Sequence, residues 1–330
     1  MNKTVDTCRC GLDWNAREKM HFEAVIPMFK SKDEVEPLFR YLNQLSQILP
    51  CELNVAFVLD GDVDGSEGEI QKNSPEYSFH WRVVKLSRNF GVGPALMAGF
   101  ETSNACIVAA FGADQQEPKE LFLEFVQILS DSSTHIALGV RKTRQDDLLT
   151  KLFAKIYWNL YRRLISRDIP AGGFDVCAFS AESRKALTSL KEKNTNITAQ
   201  IDWIGFKRTY VHFDRQRRIQ GKSKWKFSRK VRLFFDSFYG FTDLPIRIMQ
   251  IFSAVSATLL TLLALTSFIA WTLDLINIPG YLTIIFLQIF TANILILALS
   301  ITAGYITRSF DNSKNRPVYV IENQIKSRDI

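Results

Sequence analysis

Residues 53–66 read Leu-Asn-Val-Ala-Phe-Val-Leu-Asp-Gly-Asp-Val-Asp-Gly-Ser. An unbroken apolar run, Leu53 to Leu59, ends at the carboxylates of Asp60, Asp62 and Asp64, which are interleaved with Gly61 and Gly65. Such a run is a strand buried on both faces, and the polar loop is where the chain leaves the sheet. Working outward, Glu23 to Met28 is a shorter apolar run containing Pro27, and Trp81 to Leu86 and Ala105 to Phe111 are two more. Helical spacing fills the gaps. Asp33 to Leu49 carries Val35, Leu38, Leu42, Leu45 and Ile48 on one face, and Gly93 to Glu101 is a second helical stretch. Strands alternating with helices imply a mainly parallel α/β sheet covered on both faces. Ligands of such sheets bind at the carboxyl ends of the strands, where the loops at Asp60 and Asp114 fall.

Both loops admit more than one chemistry. Asp60 to Ser66 is a tight connection by composition. As a calcium loop it fails, because Gln71 stands where the twelfth-position glutamate belongs. Its carboxylates could also accept hydrogen bonds from a nucleotide base or ribose. In Gly112-Ala113-Asp114-Gln115-Gln116-Glu117-Pro118, a carboxylate and an amide two residues apart can share a hard divalent cation, Mg²⁺ or Mn²⁺, with a diphosphate. The alternative there is helix N-capping by the acidic residues before Pro118. Farther on, Leu148 to Ile165 places Leu152, Ile156, Leu160 and Leu164 on one face, an amphipathic helix for the core or a bilayer surface.

Two uncharged stretches close the chain. Ile248 to Leu273 and Leu275 to Thr307 carry no charged residue, and each exceeds the roughly 20 apolar residues that cross a hydrocarbon core. The connector from Asp274 to Gly280 lacks Lys and Arg and holds the turn signal Pro279-Gly280, whereas Arg247, Arg308, Lys314 and Arg316 flank the outer ends. This asymmetry predicts a two-span hairpin with both termini and the preceding domain in the cytosol. Two buried core helices are the soluble alternative. The formal charge of +7 is concentrated at Arg215, Arg217, Arg218, Lys222, Lys224, Lys226, Arg229, Lys230 and Arg232. Beside a span, that cluster suits anionic headgroups rather than nucleic acid, at about 1 kcal/mol per basic residue near the surface. Trp225 to Phe241 adds interfacial aromatics. Met1 to Met20 is polar and has no apolar signal-peptide core. The scattered Cys8, Cys10, Cys51, Cys106 and Cys177 read as reduced thiols, and the four histidines have no ligand spacing.

The order of segments resembles the polyprenyl-phosphate glycosyltransferases of family 2, the group of dolichyl-phosphate mannose synthases and bactoprenol glucosyltransferases. The carrying pieces are VIPMF at 25–29, FVLDGDVDGS at 57–66, LSRNFGVGPALMAGF at 86–100 and GADQQEP at 112–118. GVRKTRQD at 139–146, GGFDVCAFS at 172–180, RQRRIQGKSKW at 215–225 and RPVYVI at 316–321 complete the set. The resemblance implies a GT-A fold, Rossmann-like, over residues 21–214, after a polar extension at 1–20. A basic and aromatic juxtamembrane segment at 215–245, spans at 246–273 and 281–307, and a cytosolic tail at 308–330 follow. The implied reaction moves a sugar, with inversion, from a UDP- or GDP-linked donor to an undecaprenyl-type phosphate at a bacterial inner membrane.

The resemblance also implies site roles. Pro27, Asp60, Arg88, Asp114 and Arg141 match donor-binding positions, and Asp114 and Gln116 match the metal-binding ones. Asp175 matches the acidic residue near the acceptor. Arg215, Arg218, Ser223 and Lys224 match the segment facing donor and lipid phosphates, with Asp175, Arg218 and Lys224 as the catalytic set. Arginine suits such phosphates as a planar fork and lysine as a point charge. The acceptor monoester is largely dianionic near pH 7, so Asp175 is expected to orient it or act as a weak base. Homo-oligomers are a further expectation, through small residues such as Ala303-Gly304, Ser253, Ala254, Ser256 and Ala257.

The pattern breaks at three places. Leu59 and Gly112 replace aspartates of the nucleotide-binding and metal-binding motifs, and Lys30 and Ser31 replace an asparagine and a glutamate. These losses are expected to weaken nucleotide and metal binding, with Lys30 able to neutralise a diphosphate charge instead. A second reading is therefore a catalytically impaired membrane partner that keeps the fold. Lipid flipping by two spans would require oligomerisation.

Overall fold

The apolar runs divide by period two between the faces of one sheet. The computed structural model describes residues 20–77, 79–131, 133–142, 158–163, 168–170, 172–191, 197–216, 280–327 and scattered positions from 249 to 273. Its elements in chain order are β1 (His21–Met28), α1 (Val35–Ile48), β2 (Glu52–Leu59), α2 (Ser66–Asn73), β3 (His80–Leu86), α3 (Val92–Glu101), β4 (Ile107–Ala110) and α4 (Lys119–Ser130). Next come β5 (Ile136–Arg141), β6 (Val176–Ser180), α5 (Ala181–Ser189), α6 (Ile197–Trp203), β7 (Arg208–Phe213), α7 (Tyr281–Ser313) and β8 (Ile321–Lys326). The eight strands form one sheet in the order β7-β5-β6-β4-β1-β2-β3-β8. β4, β1, β2 and β3 run parallel, as do β5 and β7. β6 and β8 pair antiparallel with their neighbours.

Along β1 and β2, Phe22, Ile26, Val55 and Phe57 meet Leu38, Phe39 and Leu42 of α1 and Phe122 and Phe125 of α4 on one face. Val25, Ala56 and Val58 point the other way, to Ala95, Ala98 and Phe100 of α3 and Leu187 of α5. That two-sided burial is why these strands read as continuous apolar runs. α3 comes so close that a Cβ on Gly99 would lie 2.2 Å from Val25 Cγ1 and 3.0 Å from Val58 Cγ2. A partly buried ion pair lies at the amino end of the sheet. Arg82 Nε donates to Glu23 Oε1 at 2.6 Å, and the same guanidinium donates to Thr102 Oγ1 and Gly99 O.

The segment expected as a tail carries β8, which covers the edge of β3 with a register from Arg82↔Lys326 to Leu86↔Ile321. Tyr319 donates to the Glu101 carboxylate beside it. An exposed strand edge is a template for aggregation, and β8 removes that hazard for β3.

The described residues fall into two compact units, one holding the sheet and residues 317–327, the other reaching from the apolar stretches to Arg316. In the second, α7 exposes Ile284, Leu295, Leu299, Ile306 and Phe310. Among the described residues, Phe290–Ser313 is the helical stretch long and apolar enough to cross a membrane. A core helix would bury those side chains, whereas α7 leaves them exposed. The described positions between 249 and 272 are helical, with Ile251, Val255, Leu259 and Leu262 exposed. The described part therefore contains one candidate span rather than the expected two-helix hairpin. Most of the predicted helix at 148–165 and of the segment at 215–245 lies outside the described residues.

Candidate active site

Every described residue to which the resemblance assigns a site role, Pro27 included, lies at or just inside one end of the sheet. Asp60 follows β2, Arg88 follows β3, Asp114 and Gln116 follow β4, Arg141 ends β5 and Arg215 follows β7. Because β6 is antiparallel, its first residues meet the same end, and Asp175 arrives there just before Val176. Arg218, Ser223 and Lys224 lie outside the described residues.

Two carboxylate–guanidinium pairs form the centre. Arg141 Nη2 donates to Asp175 Oδ1 at 2.9 Å, and Arg141 Nε lies against Asp175 Oδ2. Arg215 Nη2 lies 3.7 Å from Asp114 Oδ2. Burial holds the Arg215 pKa below its ordinary value, and the neighbouring Arg141 charge adds to that. A left-handed Gln115 (φ 54°) turns the chain between Asp114 and Gln116. Gln216 N donates to Gln116 O at 2.8 Å and Gln116 Nε2 to Gln216 O at 3.2 Å. The strand-exit segment carrying Arg215 is thereby docked on the loop carrying Asp114. With Nε2 so engaged, Oε1 is the atom Gln116 can offer a cation.

Glu117, which sequence reading left as a capping residue, is the carboxylate it missed. The N-cap of α4 is Pro118, without a side-chain cap bond, so Glu117 does not cap the helix. Its side chain turns into the site, is 6% exposed, and its Oε2 has no hydrogen-bond partner. Burial raises its pKa to about 7, the Asp114 charge adds to the rise, and Arg215 opposes it. A Cβ on Gly112 would lie 2.7 Å from Asp114 Oδ1 and 3.3 Å from Glu117 Oε2. The space beside Gly112 is thus already occupied by two carboxylates.

The acidic loop resolves differently. Asp60 is 3% exposed, and its oxygens accept from Phe90 N at 2.6 Å and Gly91 N at 2.8 Å. The expected nucleotide contact meets a carboxylate already committed to holding the 87–91 loop. Gly61 (φ 75°) supports this, since a Cβ there would come within 2.9 Å of the Arg88–Asn89 backbone. Asp64 accepts from Ser66 Oγ at 2.7 Å and Lys32 N at 3.0 Å, fastening the start of α2 to the exit from β1. Asp62 Oδ1 alone among these carboxylates is buried without a partner. Leu59 is 1% exposed within the core. Arg88 stacks on Phe90 at 4.7 Å and Lys30 lies 5.6 Å from the Phe29 ring centroid.

Among the described residues, no group of three or more His, Cys, Asp or Glu could hold a metal unaided. That suits a hard cation taking one or two carboxylates and completing its shell with substrate phosphate. The buried, unpartnered Glu117 oxygen beside Asp114 and Gln116 is an all-oxygen donor set of that kind.

The model of glycosyl transferase family 2 matches residues 23–190, over half of the chain. The chain belongs to this family. A putative glycosyltransferase of Bacillus subtilis, CsbB, is 27% identical over 93% of this chain and 93% of its own. An uncharacterized glycosyltransferase of Synechocystis is 27% identical over 91% and 94%. The bactoprenol glucosyl transferase of Shigella phage SfV is 23% identical over 92% and 99%. This family 2 chain is a glycosyltransferase whose likeness to those proteins runs through the apolar segment as well as the sheet.

Proposed function

We propose that this glycosyltransferase moves a hexose from a nucleotide sugar, UDP- or GDP-linked, to a polyprenyl phosphate of the undecaprenyl type, at a membrane and with inversion. The observation carrying this reading is the convergence of Asp114, Gln116, Asp175, Arg141 and Arg215 at the carboxyl end of the sheet. The bactoprenol relative supports the acceptor class. A diphosphate leaving group needs positive charge, and Arg215 lies beside Asp114 to supply a forked donor. Mg²⁺ or Mn²⁺, when bound at Asp114 and Gln116, supplies further charge against the diphosphate. Asp175, clasped by Arg141, is placed to orient the acceptor; the largely dianionic acceptor phosphate attacks without deprotonation by the protein. Arg218, Ser223 and Lys224 complete the proposed phosphate contacts.

The hairpin belongs to this proposal. Residues on both sides of the apolar segment, 197–216 and 317–327, belong to the same unit. A chain that leaves that unit through a bilayer and rejoins it must cross an even number of times. With α7 as one crossing, the stretch at 246–273 supplies the other, and positive-inside asymmetry puts the sheet and both termini in the cytosol. A cysteine at Asn277 should react with an impermeant maleimide from outside intact cells; labelling only after lysis would reject the hairpin.

Leu59 favours a second reading, an impaired partner protein, because an apolar side chain stands where the resemblance places a donor carboxylate. Nucleotide release by detergent-purified protein separates the two, using undecaprenyl phosphate, Mg²⁺ or Mn²⁺, and a panel of UDP- and GDP-sugars. Lipid-dependent release that is lost in Asp114→Ala supports the transferase. Lipid binding with silence across the panel supports the partner.

A further inference from the structure

We propose that Glu117 is the second carboxylate of the cation site, standing through space where Gly112 has lost a side chain. The inference rests on the metal-assisted reading above and deepens it. Gly112 read alone is a deletion from the site. Glu117 refills it from the other end of the same turn, since both its oxygens and Asp114 Oδ1 fall within 3.6 Å of the point where a Gly112 Cβ would sit. The carboxylate does not cap α4, is almost wholly buried, and keeps Oε2 without a protein partner. A buried carboxylate oxygen with no donor carries a large desolvation cost unless a ligand meets it. The groups around it argue for the class of that ligand. Asp114 is a second hard anion and Gln116 an amide, a set of oxygens that suits a divalent cation, and Arg215, 3.7 Å from Asp114, offsets one of the two negative charges.

Tyr41 fixes the backbone of the ligand. Its hydroxyl donates to Glu117 O at 2.8 Å from the middle of α1, and its ring packs on Phe111. The carbonyl of Glu117 is therefore held by the core, and the side chain is left to face Asp114. Residue 112 contributes no more than the vacancy: a carboxylate added there on the present backbone would collide with Asp114 Oδ1.

The test is Mn²⁺ binding to the full-length protein in detergent, read from the paramagnetic signal of free Mn²⁺, alone and with UDP or GDP. Thermal unfolding confirms that each variant is folded. Wild type is expected to bind Mn²⁺, and Glu117→Gln to weaken binding about tenfold or more, the scale on which metal-site partners act. Glu117→Ala should lose it as well, and adding Gly112→Asp in that background should recover most of the affinity, because Asp114 Oδ1, the nearer obstacle at 2.7 Å, can then turn into the space that Glu117 leaves. Unchanged Mn²⁺ affinity in Glu117→Gln, with loss in Asp114→Asn, would overturn the proposal while leaving the metal-assisted reading intact. No Mn²⁺ binding to wild type under any of the three conditions would overturn both, with Arg215 as the cation of the site. If Glu117→Gln does not fold, the rescue by Gly112→Asp in the Glu117→Ala chain decides, and its failure overturns the proposal.

Discussion

Asp60→Ala separates a carboxylate that holds a loop from one that touches the donor. In the folded protein the Asp60 oxygens accept two backbone N–H bonds, from Phe90 at 2.6 Å and Gly91 at 2.8 Å. Each charge-assisted bond contributes about 1.5–3 kcal/mol. Phe90 and Gly91 are half-buried, so water recovers part of the loss, and the lower end of the combined range, about 3 kcal/mol, is expected. If the cost is local, it corresponds to roughly 100-fold faster exchange of the two amides, at tenfold per 1.4 kcal/mol. Hydrogen exchange followed by mass spectrometry over peptides covering 86–92 reads this directly. KM for the nucleotide sugar should rise in the same variant, since the loop carrying Arg88 is freed. Asp60→Asn keeps one acceptor and should fall between. Wild-type exchange at 90 and 91 in Asp60→Ala, together with a raised KM, would refute the positioning role and return Asp60 to direct donor contact.

Three further outcomes follow from the packing and the charges. Gly99→Ala drives a methyl into Val25 Cγ1 and should cost about 1–3 kcal/mol in unfolding free energy; Val25→Ala in the same chain should recover most of it. A stop after Arg316 removes β8, bares the edge of β3 and severs the Tyr319–Glu101 bond, so light scattering should detect aggregation that the full chain does not show. In EDTA-treated protein the raised Glu117 pKa, about 7 against an ordinary 4.5, means that the folded state binds this proton more tightly than the unfolded one. That contribution to stability is full below about pH 4.5 and is lost as the pH rises through about 7, so Glu117→Gln should flatten this fall in melting temperature.

What the sequence discloses depends on whether a feature is local. β1 to β4, α1 and α3 are legible because strands covered on both faces leave continuous apolar runs, and because α1 repeats its apolar residues at helical spacing. β8, Ile-Glu-Asn-Gln-Ile-Lys, is two-thirds polar and lies at an edge, so nothing within it announces a strand; its pairing with β3 follows a long apolar excursion. Asp114, Gln116, Arg141, Asp175 and Arg215 are legible as motif positions, and the folded chain brings them to one end of the sheet. Glu117 is not, because its role is a relation between two positions joined by a left-handed turn at Gln115. The two lost aspartates therefore differ in kind. Leu59 is packed in the core. Gly112 stands where Asp114 and Glu117 meet, and a side chain there would displace one of them. With Gly112 so explained, the argument for an impaired protein rests on Leu59 and on Lys30 and Ser31. A Leu59→Asp variant would pit nucleotide affinity against the cost of an acid in the core; higher affinity at lower stability would show that position 59 was traded from binding to packing, and unchanged affinity would remove Leu59 as a reason to doubt catalysis.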